Sequence, residues 1–329
     1  MVSEKNKLSL PQIESQSEII RKWGIFYMNN QYKIISDGSC DLSKELAEKR
    51  DIDIVPFYVS FDDTTYLREG TDIKVRSFYQ EMVDDPNIFP KSSMPSVQDY
   101  VDAFMPYVKA SVPVICICIT SKFSGSLQSA TNARSYVLEK YPSAKITVVD
   151  SMVNTVLQGL MVLETAAMRD DGIPYEETLR YLDKMKSSGR IFFTVGNMEY
   201  LSHGGRIGKV TAVAGSVLGI RPVITLKEGE IYPSAVGRSR KRTVDKTIDL
   251  LINYLKENNK NLYDYSLSVG FGYDRKEAIN YRNLVLERLA GAGYGLSEEE
   301  LPIRQIGATI GVHTGPHPLG LGIIKRWNS

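Results

Sequence analysis

The sequence predicts an α/β first domain built on a mainly parallel sheet, followed by an α+β second domain. Three observations carry this. In the first half, short apolar runs alternate with segments of helical period, the pattern of strand–helix–strand units whose strands are covered on both faces. In the second half, the extended runs Pro222 to Leu226 and Ile231 to Val236 flank Lys227-Glu228-Gly229-Glu230, a hairpin turn that pairs strands antiparallel. Finally, 329 residues with 43% apolar and 24% charged positions have the size and mix of a globular chain of about two domains.

The elements follow in order. Lys33 to Ser36 is a short apolar strand that Asp37-Gly38-Ser39 breaks before a helix at Leu42 to Lys49. A second strand, Ile54 to Phe61, leads through turn-rich residues 62–71 to a helix marked by Phe78, Met82 and Val83 and ended by Pro86 and Pro90. Ser96 can cap a helix through Ala110, Val112 to Ile119 is a buried strand, Ser124 to Lys140 a helix, Ile146 to Val149 a strand and Asn154 to Arg169 a helix. Gly172-Ile173-Pro174 supplies a boundary, dividing the chain into residues 1–31 (an N-terminal extension), 32–172 and 173–329. Beyond it come helices at Tyr175 to Ser187, Arg242 to Glu257 and Lys276 to Leu289, with strands at Arg190 to Val195, Ser266 to Gly272, Ile306 to Ile310 and Leu319 to Ile324. The apolar patch Ile19, Ile20, Trp23, Ile25, Phe26 in the extension reads as a helix docked on the body, an interfacial anchor, or sequence preceding a start at Met28.

Charge and cysteine content exclude several function classes. Forty Lys and Arg against 39 Asp and Glu leave no overall excess of positive charge to neutralise a nucleic-acid backbone. The longest apolar stretches fall short of the roughly 20 residues a bilayer core demands. Three cysteines make no disulfide framework and have no metal-like spacing with histidine, so no metal site is expected. With no signal peptide, the expected location is cytoplasmic.

Five segments could carry chemistry. Thr120 to Ser126 lies where a buried strand turns into a helix, a place whose free backbone N–H groups favour an anion; Ser124 adds a hydroxyl and Gly125 lets a ligand approach the backbone, although Ser124 can equally be a plain helix cap. Lys91 to Ser96 is a hydroxyl-rich segment whose Met94-Pro95 step lays Ser92 and Ser93 out as a presenting loop. His313-Thr314-Gly315-Pro316 is read as a loop between the strands ending at Ile310 and starting at Leu319. The glycine-dense stretch Tyr200 to Lys209 contains Arg206 but fits neither the Walker nor the dinucleotide spacing. Arg238 to Arg242 is a run of cations able to meet an acidic partner or a phosphate. Asp37 and Asp150 end first-half strands and, with Ser124 and His313, suggest a hydrolase triad, but no Gly-x-Ser-x-Gly elbow frames Ser124. Cys116 and Cys118 share one face of a buried strand and read as core.

Taken together, these segments resemble the DegV family of bacterial fatty-acid-binding proteins. The matching stretches are Ile35 to Leu42, Lys91 to Ser96, Thr120 to Ala130, Val149-Asp150-Ser151, Tyr200 to Lys209, Ile220 to Val223 and His313 to Pro316, in family order. The resemblance implies a two-domain fold with a fatty acid buried between or beside the domains. It also implies that the lipid carboxylate is held by Ser92 and Ser124 with His313 close by, and that Ser93, Gly125, Ser126 and Thr314 support them. Ser92 stands where the family usually has threonine, Met94 where it has glutamine, Ser126 and Leu127 where threonine and tyrosine are common, and His317 where glycine follows the histidine loop. By the same resemblance the chain has no catalytic residue or cofactor of its own. It presents a long-chain fatty acid to a separate ATP-dependent kinase, and the acyl phosphate passes to acyltransferases of phospholipid synthesis; Arg206 and Arg238 match positions for kinase docking or phosphate contact. Two competing functions are a serine esterase or thioesterase using Ser124 and His313, and a transcription-associated role for Arg238 to Arg242.

Overall fold

The computed structural model describes residues 32–210, 221–257 and 260–329; the readings of residues 1–31 fall outside them. The first half runs β1 (Lys33–Asp37), α1 (Lys44–Lys49), β2 (Ile52–Val55), β3 (Tyr58–Ser60), β4 (Leu67–Arg68), α2 (Val75–Asp84), β5 (Lys91–Ser93), α3 (Val97–Lys109), β6 (Val114–Cys118), α4 (Ser126–Lys140), β7 (Ile146–Asp150) and α5 (Thr155–Asp170). The second runs α6 (Tyr175–Met185), β8 (Arg190–Thr194), α7 (Glu199–His203), β9 (Arg221–Lys227), β10 (Glu230–Gly237), α8 (Arg240–Lys256), β11 (Tyr265–Phe271), α9 (Arg275–Gly291), β12 (Ile303–Gln305), α10 (Ala308–Thr314) and β13 (Leu319–Lys325).

Strands β2-β1-β6-β7 form a parallel sheet, as expected for the first domain. Its central strands β1 and β6 are buried along their whole length, which is why β6 reads as an uninterrupted apolar run. The second half carries a six-stranded sheet, β10-β9-β8-β13-β11-β12, antiparallel except for the β11–β12 pair. Its β9–β10 hairpin turns on Glu228 and Gly229, both at positive φ (53° and 81°), the backbone of a tight two-residue turn. Helix α5 is buried from Thr155 to Val162 without interruption because it packs on β1 from one side and on β11 and β13 from the other. One core cluster accordingly joins Ile34, Ile115 and Leu157 to Ile191, Ile224 and Ile231, so the two halves are packed against each other.

The structure departs from the sequence expectations in four places. The run Ile54 to Phe61 is two strands, because Pro56-Phe57 breaks β2 from β3, which belongs to a separate three-stranded antiparallel sheet, β4-β3-β5. Residues 91–93 are the edge strand β5 of that sheet, with Ser92 opposite Val59, where a loop was expected. Helix α4 starts at Ser126 with Gly125 in the cap position, two residues later than expected. The expected strand Ile306 to Ile310 does not form: the short β12 ends at Gln305 and, after Gly307, helix α10 begins at Ala308, so His313 sits on a helix rather than in a loop.

Candidate functional site

In the parallel sheet β1 has β2 on one side and β6 on the other, so the turns after β1 and β6 diverge and leave a crevice at the carboxyl ends of the strands. Asp37, at the end of β1, fixes both turns. It is fully buried and accepts hydrogen bonds from Ser39 Oγ (2.6 Å), Gln158 Nε2 (2.8 Å), the Ile119 N–H (2.9 Å) and Ser126 Oγ (2.8 Å). Burial raises its pKa, and the four donors oppose that rise. Ser126 also bonds Tyr100 OH at 2.6 Å, so its hydroxyl is engaged in this buried network and does not face the cavity, where a supporting contact was expected. Ser124 does face it, its Oγ accepting from the Ser126 N–H at 3.2 Å. Beyond the turn, Thr120 Oγ1 donates to the Gly229 carbonyl at 3.3 Å, docking the hairpin tip of the second half onto the site loop of the first.

The opposite wall comes from β5 and α10. Ser92 Oγ lies 3.3 Å from His313 Nε2. Helix α10 is held by a carboxylate far away in sequence: Glu69 accepts from the Ala308 N–H (2.5 Å), the Thr309 N–H (3.1 Å) and Thr309 Oγ1 (2.6 Å). Asp41 lies beside it and accepts from Thr155 Oγ1. A Cβ at Gly307 would stand 2.2 Å from Glu69 Oε1 and 2.6 Å from Asp41 Oδ1, so only glycine fits between the two acids. Burial holds both carboxyls above the ordinary carboxylate range, and the charge of Glu69 adds to the effect on Asp41.

Burial, then the nearby Arg206 charge, pushes His313 down to about 4, so the imidazole is neutral near pH 7. Its Nδ1 is buried without a partner and is covered by Gly204, whose Cβ, if present, would lie 2.1 Å away. In the tautomer protonated at Nε2, the ring donates to Ser92 Oγ and leaves the serine proton free to donate into the cavity. Arg206 is exposed at the rim, its Nε donating to the Phe123 carbonyl (3.0 Å) and its Nη1 to the Gly204 carbonyl (2.7 Å), which bridges the two halves. Arg238 is exposed, does not line the cavity and makes no ion pair among the described residues, whereas its neighbour Arg240 is locked bidentate to Glu277 at 2.8 and 2.9 Å.

These walls enclose a cavity of about 300 Å³, the scale of a small-molecule site. Its lining combines the polar Ser92, Ser93, Ser124, Arg206 and His313 with the apolar Phe57, Ile119, Phe123, Phe193 and Leu201. Met94 is exposed at the same mouth and packs over Gly125, where an added Cβ would meet its Sδ at 2.7 Å. A smaller chamber of about 50 Å³ shares Asn154, Phe193, Ile231, Ile310 and Thr314 with the first and is otherwise lined mostly by apolar side chains such as Ile191, Leu226 and Leu319. Sequence reasoning brought Ser92, Ser93, Ser124, Gly125, Thr314, Arg206 and His313 to this cavity. It missed Asn154, Phe193, Ile231 and Ile310, whose inward direction depends on how the second sheet stacks over α5.

A Ser124–His313 hydrolase pair is not assembled. His313 faces Ser92 instead, and no carboxylate stands behind its Nδ1. Asp37 is engaged in the buried network above, and Asp150 accepts from Ser121 Oγ (2.6 Å) and the Met152 N–H (3.0 Å). Among the described residues no group of three or more acids, histidines and cysteines could hold a metal ion, and no helix is long and apolar enough to cross a membrane.

Residues 31–326 match the DegV family model, described as "Uncharacterised protein, DegV family". The chain belongs to the DegV family. A DegV domain-containing protein of Clostridium perfringens is 30% identical over 297 residues, 89% of this chain and 99% of its own. The crystal structure of a fat acid (stearic acid)-binding protein from Eubacterium ventriosum is similar with a TM-score of 0.85 and 46% identity, covering 91% of this chain and 99% of that one. DegV from Bacillus subtilis, a fatty acid binding protein, gives a TM-score of 0.74 at 25% identity over 90% of this chain and 99% of its own. The two-domain DegV architecture expected from the motifs is therefore the one found.

Proposed function

We propose that this DegV protein binds a long-chain fatty acid in the cavity, its carboxylate among Ser92, Ser124 and His313 and its tail in the apolar chamber. The observation that carries this is the continuity of a hydroxyl-lined mouth with an apolar interior, the shape that a molecule with one anionic head and a long tail requires. Each buried methylene contributes about 0.8 kcal/mol, so the tail supplies most of the affinity. The head still needs donors, because an unpaired buried carboxylate is costly. The stearic-acid-binding relative from Eubacterium ventriosum supports the same assignment.

The protein is then a non-catalytic cytoplasmic carrier, the lipid-binding subunit of a fatty acid kinase. It presents the carboxylate to a separate ATP-dependent kinase, and the acyl phosphate passes on to acyltransferases. The exposed guanidinium of Arg206 stands at the rim beside His313, suited to a nascent phosphate, and the unpaired Arg238 is suited to docking an acidic face. An esterase using Ser124 and His313 is disfavoured by the missing carboxylate behind the imidazole.

Mass spectrometry of an organic extract of the purified protein tests the assignment. A stoichiometric fatty acid is expected, and its repeated absence from well-folded material refutes it. Ser124→Ala lowers fatty-acid affinity about tenfold in a lipid-exchange assay, the loss of a hydrogen bond to a charged group, without unfolding the protein. Labelling of Ser124 by a fluorophosphonate instead supports the esterase.

A further inference from the structure

Asn154 occupies the junction of the two chambers and lines both. It is the cap residue of α5, the position where an asparagine side chain ordinarily accepts a backbone N–H, yet its side chain makes no cap bond. Its Oδ1 is buried with no partner, and no described residue hydrogen-bonds the amide. The backbone around it is strained in a way that has to be held: Met152 and Thr155 stand at φ 55° and 48°, and Thr155 is β-branched, for which the left-handed region is a genuine outlier. The hydrogen bond from Thr155 Oγ1 to Asp41 helps hold that conformation. The half-buried side chain is thus kept off its usual helix-capping duty, with its buried Oδ1 left unsatisfied where the two chambers meet, among mostly apolar neighbours such as Phe193, Ile231 and Ile310.

We propose that Asn154 is a selectivity residue that hydrogen-bonds an oxygen function on the acyl chain, so that hydroxylated fatty acids are preferred over plain saturated ones. The inference rests on the fatty-acid assignment above and deepens it by naming the cargo class. A saturated tail passing the throat leaves the amide unpaired and shut off from water; a hydroxyl at that depth satisfies it and is itself satisfied. The discrimination is of the kind seen whenever a site built for a hydroxyl meets the analogue lacking it.

The test is displacement of a fluorescent fatty acid by stearic acid and by a series of hydroxystearic acids in which the hydroxyl is moved along the chain. At least one isomer is expected to bind about fivefold or more tightly than stearic acid. Asn154→Leu removes that preference and binds stearic acid at least as well as the unaltered protein does. Should the leucine variant misfold by circular dichroism, Asn154→Ser makes the same comparison, and the comparison on the unaltered protein needs no variant. The proposal is overturned if every isomer binds no better than stearic acid, if the preference persists in the variant, or if the variant loses both ligands equally, which places the amide on the carboxylate. If neither ligand class binds the unaltered protein, the fatty-acid assignment itself fails and takes this inference with it.

Discussion

Replacing His313 with glutamine removes a titrating ring while leaving a polar side chain opposite Ser92, and the effect on stability has a definite sign. The ring ordinarily titrates near 6.5 and is pushed to about 4 in the folded protein by burial and by Arg206. Between those values the unfolded chain binds a proton that the folded chain refuses. The folded state therefore has its full His313 contribution above pH 6.5 and loses it as the pH falls toward 4. At about 1.4 kcal/mol per pH unit, that interval amounts to about 3 kcal/mol. Asp37, Asp41 and Glu69, whose carboxyls are raised by burial, slope the other way: their contributions are greatest in acid and fall as the pH rises through their folded values. The measurement is therefore a difference. Urea unfolding of the protein and of His313→Gln across this range gives two stability profiles whose separation isolates the ring. The unaltered protein is expected to lose about 3 kcal/mol more than the variant on acidification. Parallel profiles would show that His313 is not held neutral, and the account of a carboxylate bound by neutral donors would fall.

Two further substitutions probe how His313 is placed. Gly204→Ala puts a methyl group 2.1 Å from His313 Nδ1 on a backbone that alanine tolerates (φ −72°), so the ring must move. Fatty-acid affinity is expected to fall about tenfold in a lipid-exchange assay with little change in melting temperature, and unchanged affinity refutes the packing argument. Glu69→Ala strips the acceptor from the Ala308 and Thr309 N–H groups and should cost about 2 kcal/mol or more in urea, whereas Glu69→Gln keeps an acceptor and should cost less; equal stability of all three proteins contradicts the capping role.

The parts of the fold that local pattern determines were legible. Strands β1 and β6 announce themselves as apolar segments, the β9–β10 hairpin as a Glu-Gly turn, and α3 through its Ser96 cap. What stayed hidden depends on partners distant in sequence. Residues 306–310 are apolar enough for a strand, yet from Ala308 onward the chain is helical because Glu69, some 240 positions upstream, satisfies the first N–H groups of α10. Ser92 and Ser93 lie on a strand because β3 offers an edge to pair with. Ser126, which the family resemblance offers as a supporting hydroxyl, is buried against Asp37 and Tyr100, which assigns it a structural task. Asn154 gave no sequence signal, since only the cavity shows that its side chain declines to cap α5.

The long reach of Glu69 to α10 also orders events in time. Ser92 and His313 share a wall although 221 positions separate them in sequence, so that wall exists only once α10 has docked on β5. Before that docking the cavity is an open half-shell that lacks the imidazole of His313 and the side chains of Ile310 and Thr314. Under the proposed function, a chain in which α10 has not yet docked does not sequester lipid.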